Sequence, residues 1–141
     1  MEGIAAITEE WFRRVTEGYP EQMAQFLLAQ PDPFRNPVGA TFRRALPVLV
    51  RQAVGEETAS QEVRVALDAL LRIRAVQDLT AREAVGFIFL LREALGARGA
   101  ADGVQRRIDE LALAAFEIYA ECREQIAQIR ARESVRMRMA R

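Results

Sequence analysis

Proline is confined to one stretch of this chain, and that confinement limits the fold more than any other feature. All five prolines (Pro20, Pro31, Pro33, Pro37 and Pro47) fall between positions 20 and 47, and none follows. Proline lacks a backbone N–H and clashes with the preceding helical turn, so residues 48–141 are free to run as long helices. Apolar residues recur at three- and four-residue spacing along most of the chain, and no sustained two-residue alternation of β-branched residues occurs. At 141 residues the chain is long enough for one sizeable core. The expectation is all-α: one compact domain over residues 1–141, a bundle of about six helices with a long C-terminal helix.

Punctuation places the elements. Ile7, Trp11 and Val15 stack at four-residue spacing in a first helix, Ile4 to Glu17, and Met23, Phe26 and Leu27 lie in a short second one that ends before Pro31. Asn36 followed by Pro37 reads as a helix cap with proline at the first helical position, where its missing N–H costs nothing. The third helix then spans Pro37 to Val54 with an expected kink at Pro47. A polar loop leads to a fourth helix ending near Gln77, with Val63, Leu67, Leu70 and Arg74 on one face. Thr80 and Glu83 have capping-box spacing. They open a fifth helix, Ala81 to Leu95, apolar on nearly every side and so expected to be central, with Gly86 admitting a neighbouring backbone.

The last helix, about Asp102 to Ser134 or beyond, carries a stripe of Ile108, Leu111, Ala115, Ile118, Cys122, Ile126 and Ile129, close to a heptad repeat. Two readings are open. Its first half packs on the domain's own core, or the stripe continues into a projecting second half that pairs with a twin helix or a protein partner. Beyond Ile129, five arginines face one glutamate. A solvated helix end favoured by the helix dipole, a contact with nucleic acid or membrane, and a connector to another module all fit such an end. The formal net charge is zero, and no aromatic residue interleaves these arginines, so dedicated nucleic-acid binding is not expected.

Composition removes whole classes of chemistry. All 20 basic residues are arginine, and histidine is absent. Histidine-ligated metals, Ser-His-Asp and Cys-His catalysis, lysine Schiff bases and a P-loop lysine are therefore excluded. A single cysteine, Cys122, cannot form an internal disulfide or a multi-cysteine metal site. The carboxylate neighbours Glu9/Glu10, Glu56/Glu57 and Asp109/Glu110 point to different helix faces and make no acid/base dyad. Glu117, Glu121 and Glu124 share a face, which is a weak metal set without histidine. No catalytic, cofactor or metal residue is expected. The N-terminus lacks a secretory pattern and no apolar run approaches 18 residues, so a cytoplasmic location without a transmembrane segment is the expectation.

Trp11, Tyr19-Pro20, Phe34 shortly before Asn36-Pro37-Val38-Gly39, and the run ALDALLRIRAVQDLTAREAVGFIFLLREAL (Ala66 to Leu95) stand in one order. In this the chain resembles the N-terminal domain family of RsbRD-type RsbT co-antagonist proteins, from about Trp11 to Tyr119. The resemblance implies a regulatory, non-enzymatic input module related to the stressosome. Related domains precede a STAS domain or a signalling kinase, and RsbR-type input domains have a globin-like, haem-free helical fold and form dimers. No STAS stretch lies within these 141 residues, so no phosphorylatable switch residue carries over. Carried residue by residue, Asn36, Pro37, Val38 and Gly39 form a conformational corner, and Arg74, Gln77 and Asp78 a polar cluster between the fourth and fifth helices. Asn36 and Asp78 also read simply as caps, and Gln77 as a partner for a loop carbonyl. Arg72, Arg74 and Arg82 read as helix-surface ion pairs or as an anion or partner grip. A signalling protein partner and a homodimer are implied, and a small apolar ligand would enter beside the fifth helix. The alternative is an accessory subunit docked on a larger enzyme or membrane complex through the basic helix end.

Overall fold

The computed structural model describes residues 2–77 and 79–140. Among the described residues seven α-helices follow one another: α1 (Glu2–Thr16), α2 (Glu21–Ala29), α3 (Pro37–Val54), α4 (Ser60–Val76), α5 (Ala81–Gly86), α6 (Leu90–Leu95) and α7 (Val104–Met139), with a 3-10 turn at Gly96–Ala100 before α7. Among the described residues there is no strand. The all-α expectation holds. The last helix starts two residues later than Asp102 and runs past Ser134, because the positive-φ Gly103 terminates the preceding turn.

Helix α3 lies at the centre, packed against α1, α4 and α7, while α4 also lies along α7 and α1 along α6. It continues through Pro47 to Val54 and ends at Gly55, whose φ of 88° is the left-handed conformation glycine adopts freely. The core between these helices is aromatic. Phe12 stacks on Phe42 at 5.5 Å, Phe42 meets Phe87 edge-on at 6.5 Å, and Phe87 stacks on Trp11 at 6.0 Å. Guanidinium groups lie over two of these rings, Arg43 over Phe12 and Arg74 over Phe87, both 4.9 Å from the ring centre.

Arginine also joins the helix ends. Arg43 donates to the Leu28 carbonyl in the last turn of α2 at 2.8 Å, Arg107 to Ala53 near the end of α3 at 2.9 Å, and Arg123 to Ala75 at the end of α4 at 3.0 Å. Each fills a carbonyl that a helix terminus leaves without an internal partner.

The single fifth helix expected over Ala81 to Leu95 is two helices. Between them, at Phe87–Phe89, the backbone tightens to i→i+3 bonding: Ile88 donates to Val85, Phe89 to Gly86, Leu90 to Phe87 and Leu91 to Ile88. The cause lies in side chains from elsewhere. Arg74 donates to the carbonyls of Glu83 and Ala84, both at 2.8 Å, and the Trp11 indole N–H donates to that of Phe87 at 2.8 Å. These three carbonyls would accept from residues 87, 88 and 91 in a continuous α-helix. The segment is also not wrapped on all sides, since Phe89 faces solvent. Gly86 admits no neighbour either: a Cβ there would meet nothing within 4 Å.

Candidate functional site

The polar cluster between α4 and α5 is centred on Arg74. Residues Leu67, Leu70, Leu71 and Arg74 share the inner face of α4, so a helical spacing that buries leucines also buries this arginine, 5% exposed. Its Nε and one terminal nitrogen grip Ala84 and Glu83, and the other donates to the Tyr19 hydroxyl at 3.0 Å. Tyr19 in turn donates to Gln77 Oε1 at 2.7 Å. Burial pulls the guanidinium below its ordinary value, and the Tyr19 contacts oppose that shift. Arg74 is therefore a buried strut with its donors engaged by the chain itself, not a surface ion pair. Gln77 accepts from Tyr19, and among the described residues its amide donates to no carbonyl. Arg72 does pair along its helix, with Asp68 at 2.7 Å. Arg82 is exposed. Asp78, the third member of the expected cluster, lies outside the described residues.

At the start of α5 the capping box forms: Glu83 N–H donates to the Thr80 hydroxyl at 3.2 Å, and Thr80 N–H to the Glu83 carboxylate at 2.9 Å. That backbone bond, more than any charge, holds the Glu83 carboxyl below its ordinary range.

The Asn36 corner joins two helices. The Asn36 oxygen accepts from Gly39 N–H at 2.9 Å and caps α3, while its amide donates to the carbonyls of Leu27 at 2.9 Å and Gln30 at 3.0 Å at the end of α2. Both unpaired helix ends are satisfied by one buried side chain. Gly39 is a glycine because of this: a Cβ there would stand 2.7 Å from Asn36 Cγ. Pro37 takes the first helical position and Val38 rests against the core.

The α7 stripe divides along its length. Ile108, Leu111, Ala115, Ile118 and Cys122 are buried in the chain's own core, Ile126 is half-buried against it, and Ile129 is 53% exposed. From Ala127 to Ala140 every residue is exposed. Burial raises the Cys122 thiol above its ordinary value. On the opposite side of α7, Leu113 and Phe116 are 70% and 57% exposed. The stripe count along the heptad did not point to them, because they stand out of register with it.

Two of the concavities on the body lie beside α1. A cleft of about 240 Å³ beside α5 has Val15, Leu79, Gly86, Phe87 and Leu90 as its apolar lining and Arg14 and Arg82 beside them. A groove of about 460 Å³ between α1 and α3 is lined by Ile4, Thr8, Phe12 and Pro47, with the Glu9–Arg43 ion pair (2.6 Å) across it. The cleft is below the size usual for a drug-sized ligand. On α1, Glu9 pairs with Arg43, and Glu10 with both Arg13 and Arg14. Among the described residues no group of three potential ligands is placed to hold a metal ion, and no helix is long and apolar enough to cross a membrane.

No curated protein and no solved structure matches this chain. A family model, described as the RsbT co-antagonist protein rsbRD N-terminal domain, matches residues 5–134. That span runs from the first turn of α1 to near the end of α7 and takes in the Asn36 corner, the Arg74 strut and the split α5–α6 segment, so the chain belongs to the RsbT co-antagonist protein rsbRD N-terminal domain family.

Proposed function

We propose that this domain is a non-enzymatic regulatory input module of a signalling system, acting by contact with a protein partner and working as a homodimer through α7. One observation carries the reading. Helix α7 is about 54 Å long at 1.5 Å per residue; its first half closes the core, and from Ala127 to its end at Met139 every side chain is exposed. A helix that is half core and half free couples the packing of the domain to whatever the free half touches. The family supports the signalling role. With no histidine or lysine in the sequence, and with Arg74, Arg107 and Arg123 engaged by backbone carbonyls, the chain offers no clustered acid, base or nucleophile for turnover.

The test is the solution mass of the full chain by light scattering, beside the double variant Ala131→Glu, Val135→Glu. Both positions are exposed on the free half, so the fold should be unaffected, as circular dichroism will check. A dimer that becomes monomeric in the variant supports the reading. A monomeric parent sinks the dimeric module, and direct docking on a larger complex through the basic end then becomes the reading to pursue.

A further inference from the structure

The outer face of α7 carries a second apolar line that the core does not use. At 100° per residue, Leu113, Phe116, Ala120, Ala127, Ala131 and Val135 fall within an arc of about 100°. Ile108, Ala115 and Cys122, which enter the core, lie on the opposite side. All six residues of the outer line are exposed. Side chains as large as Leu113 and Phe116, each more than half exposed on a long helix, mark a surface for contact.

We propose that this line is the contact between two copies of the chain, with the two α7 helices antiparallel and their two-fold axis near Glu124. The inference rests on the dimeric reading above and adds its face and direction. Two observations select a second copy and this orientation. First, the line reads nearly the same in both directions. Ala120 and Ala127, Phe116 and Ala131, and Leu113 and Val135 stand at matching distances from Glu124 to within one residue. An antiparallel pair therefore sets the large Phe116 against the partner's small Ala131, and lets the helices approach closely where Ala120 meets the partner's Ala127. Second, the charges along α7 are unevenly divided. Glu110 and Glu117 flank the line and Glu124 stands within it in its first two-thirds, whereas Arg130, Arg132, Arg136 and Arg138 occupy the free end with a single glutamate, Glu133. An antiparallel pair brings Glu110 level with the partner's Arg138 and Glu117 level with the partner's Arg132, against one unfavourable contact where Glu124 meets the partner's Glu124 at the axis. A parallel pair would align four arginines with four arginines, which is unfavourable.

Single cysteines introduced into the full chain test the geometry, with the buried Cys122 left in place and the parent as control. Glu124→Cys, near the axis, should form an intermolecular disulfide on mild oxidation. Ala131→Cys alone should not, since two copies of that residue would lie about 21 Å apart along the pair. A mixture of Phe116→Cys and Ala131→Cys should cross-link between the two variants. Self-linking of Ala131→Cys as strong as that of Glu124→Cys would overturn the antiparallel arrangement in favour of a parallel one. A dimeric mass with no cross-link at any of these positions would place the interface on another face. In both cases the dimeric reading survives and this inference fails, whereas a monomeric mass removes both.

Discussion

The indole N–H of Trp11 donates to the carbonyl of Phe87 at 2.8 Å, while the two rings stack 6.0 Å apart. One residue of α1 thus packs against Phe87 and also takes a carbonyl that an α-helix from Ala81 to Leu95 would need. Trp11→Phe keeps a ring in the core and removes the donor. It should cost about 1–3 kcal/mol in urea unfolding, from a lost buried hydrogen bond and a small cavity. An unchanged midpoint would mean that the bond does not hold α1 to the α5–α6 break.

Arg74 performs the same service from α4. A lysine there keeps the charge but presents one ammonium in place of a planar fork, and it cannot reach Glu83, Ala84 and Tyr19 together. Arg74→Lys should lower stability by about 2–4 kcal/mol, because buried carbonyls lose their donors. Amide hydrogen exchange should speed up at Ile88 and Phe89, whose bonding depends on the break, before it does so in α3. Uniform acceleration across the chain would show that Arg74 stabilises the fold without shaping this segment.

Local chemistry made much of the fold readable. Asn36 before Pro37, Thr80 three residues before Glu83, and an arginine-rich helix free of proline state their roles within a few residues, and the structure places α3 at Pro37–Val54 as those signals require. The α5–α6 break was not readable in the same way. Its residues, Ala84 to Leu91, have helical composition, and the groups that interrupt them come from Trp11 and Arg74, distant or on another helix. Periodicity likewise put Arg74 on the inner face of α4 without saying what a guanidinium would meet there. In the α7 stripe, one heptad pattern admits two readings. The same seven-residue repeat that suits a partner helix also suits the domain's own core, and sequence spacing alone does not separate them.

The α5 cap predicts a pH dependence. Glu83 is depressed below its ordinary value of 4.5, first by the Thr80 backbone N–H and next by the Thr80 hydroxyl. A carboxylate with a lower value folded than unfolded contributes stability that is fully present above the unfolded value and is lost as pH falls through the folded one. Relative to Glu83→Gln, the parent should therefore hold its advantage at pH 7 and lose it progressively below about pH 4.5. Thermal unfolding of both proteins between pH 7 and pH 3 reads this directly. A difference that stays constant over that range would show that the carboxylate's charge does not stabilise the cap.

Two glycines inside helices should respond to alanine with opposite signs. Alanine ordinarily stabilises a helix by about 0.5–1 kcal/mol over glycine, because the unfolded chain has less freedom to lose. At Gly86 nothing lies within 4 Å of the new methyl group, so Gly86→Ala should show that gain. At Gly39 the methyl group would stand 2.7 Å from Asn36 Cγ, and Asn36 is pinned by carbonyls at the end of α2 as well as by the N–H of Gly39 itself. The asparagine cannot move aside without releasing both helix ends. Gly39→Ala should therefore destabilise by about 2–4 kcal/mol, the cost of overpacking plus the bonds it breaks. Asn36→Asp separates the two halves of the corner, since a carboxylate can still cap α3 but has no N–H for Leu27 and Gln30. A loss for Asn36→Asp as large as that for Gly39→Ala would assign the strength of the corner to its grip on α2. A stable Asn36→Asp would assign it to the cap on α3 alone.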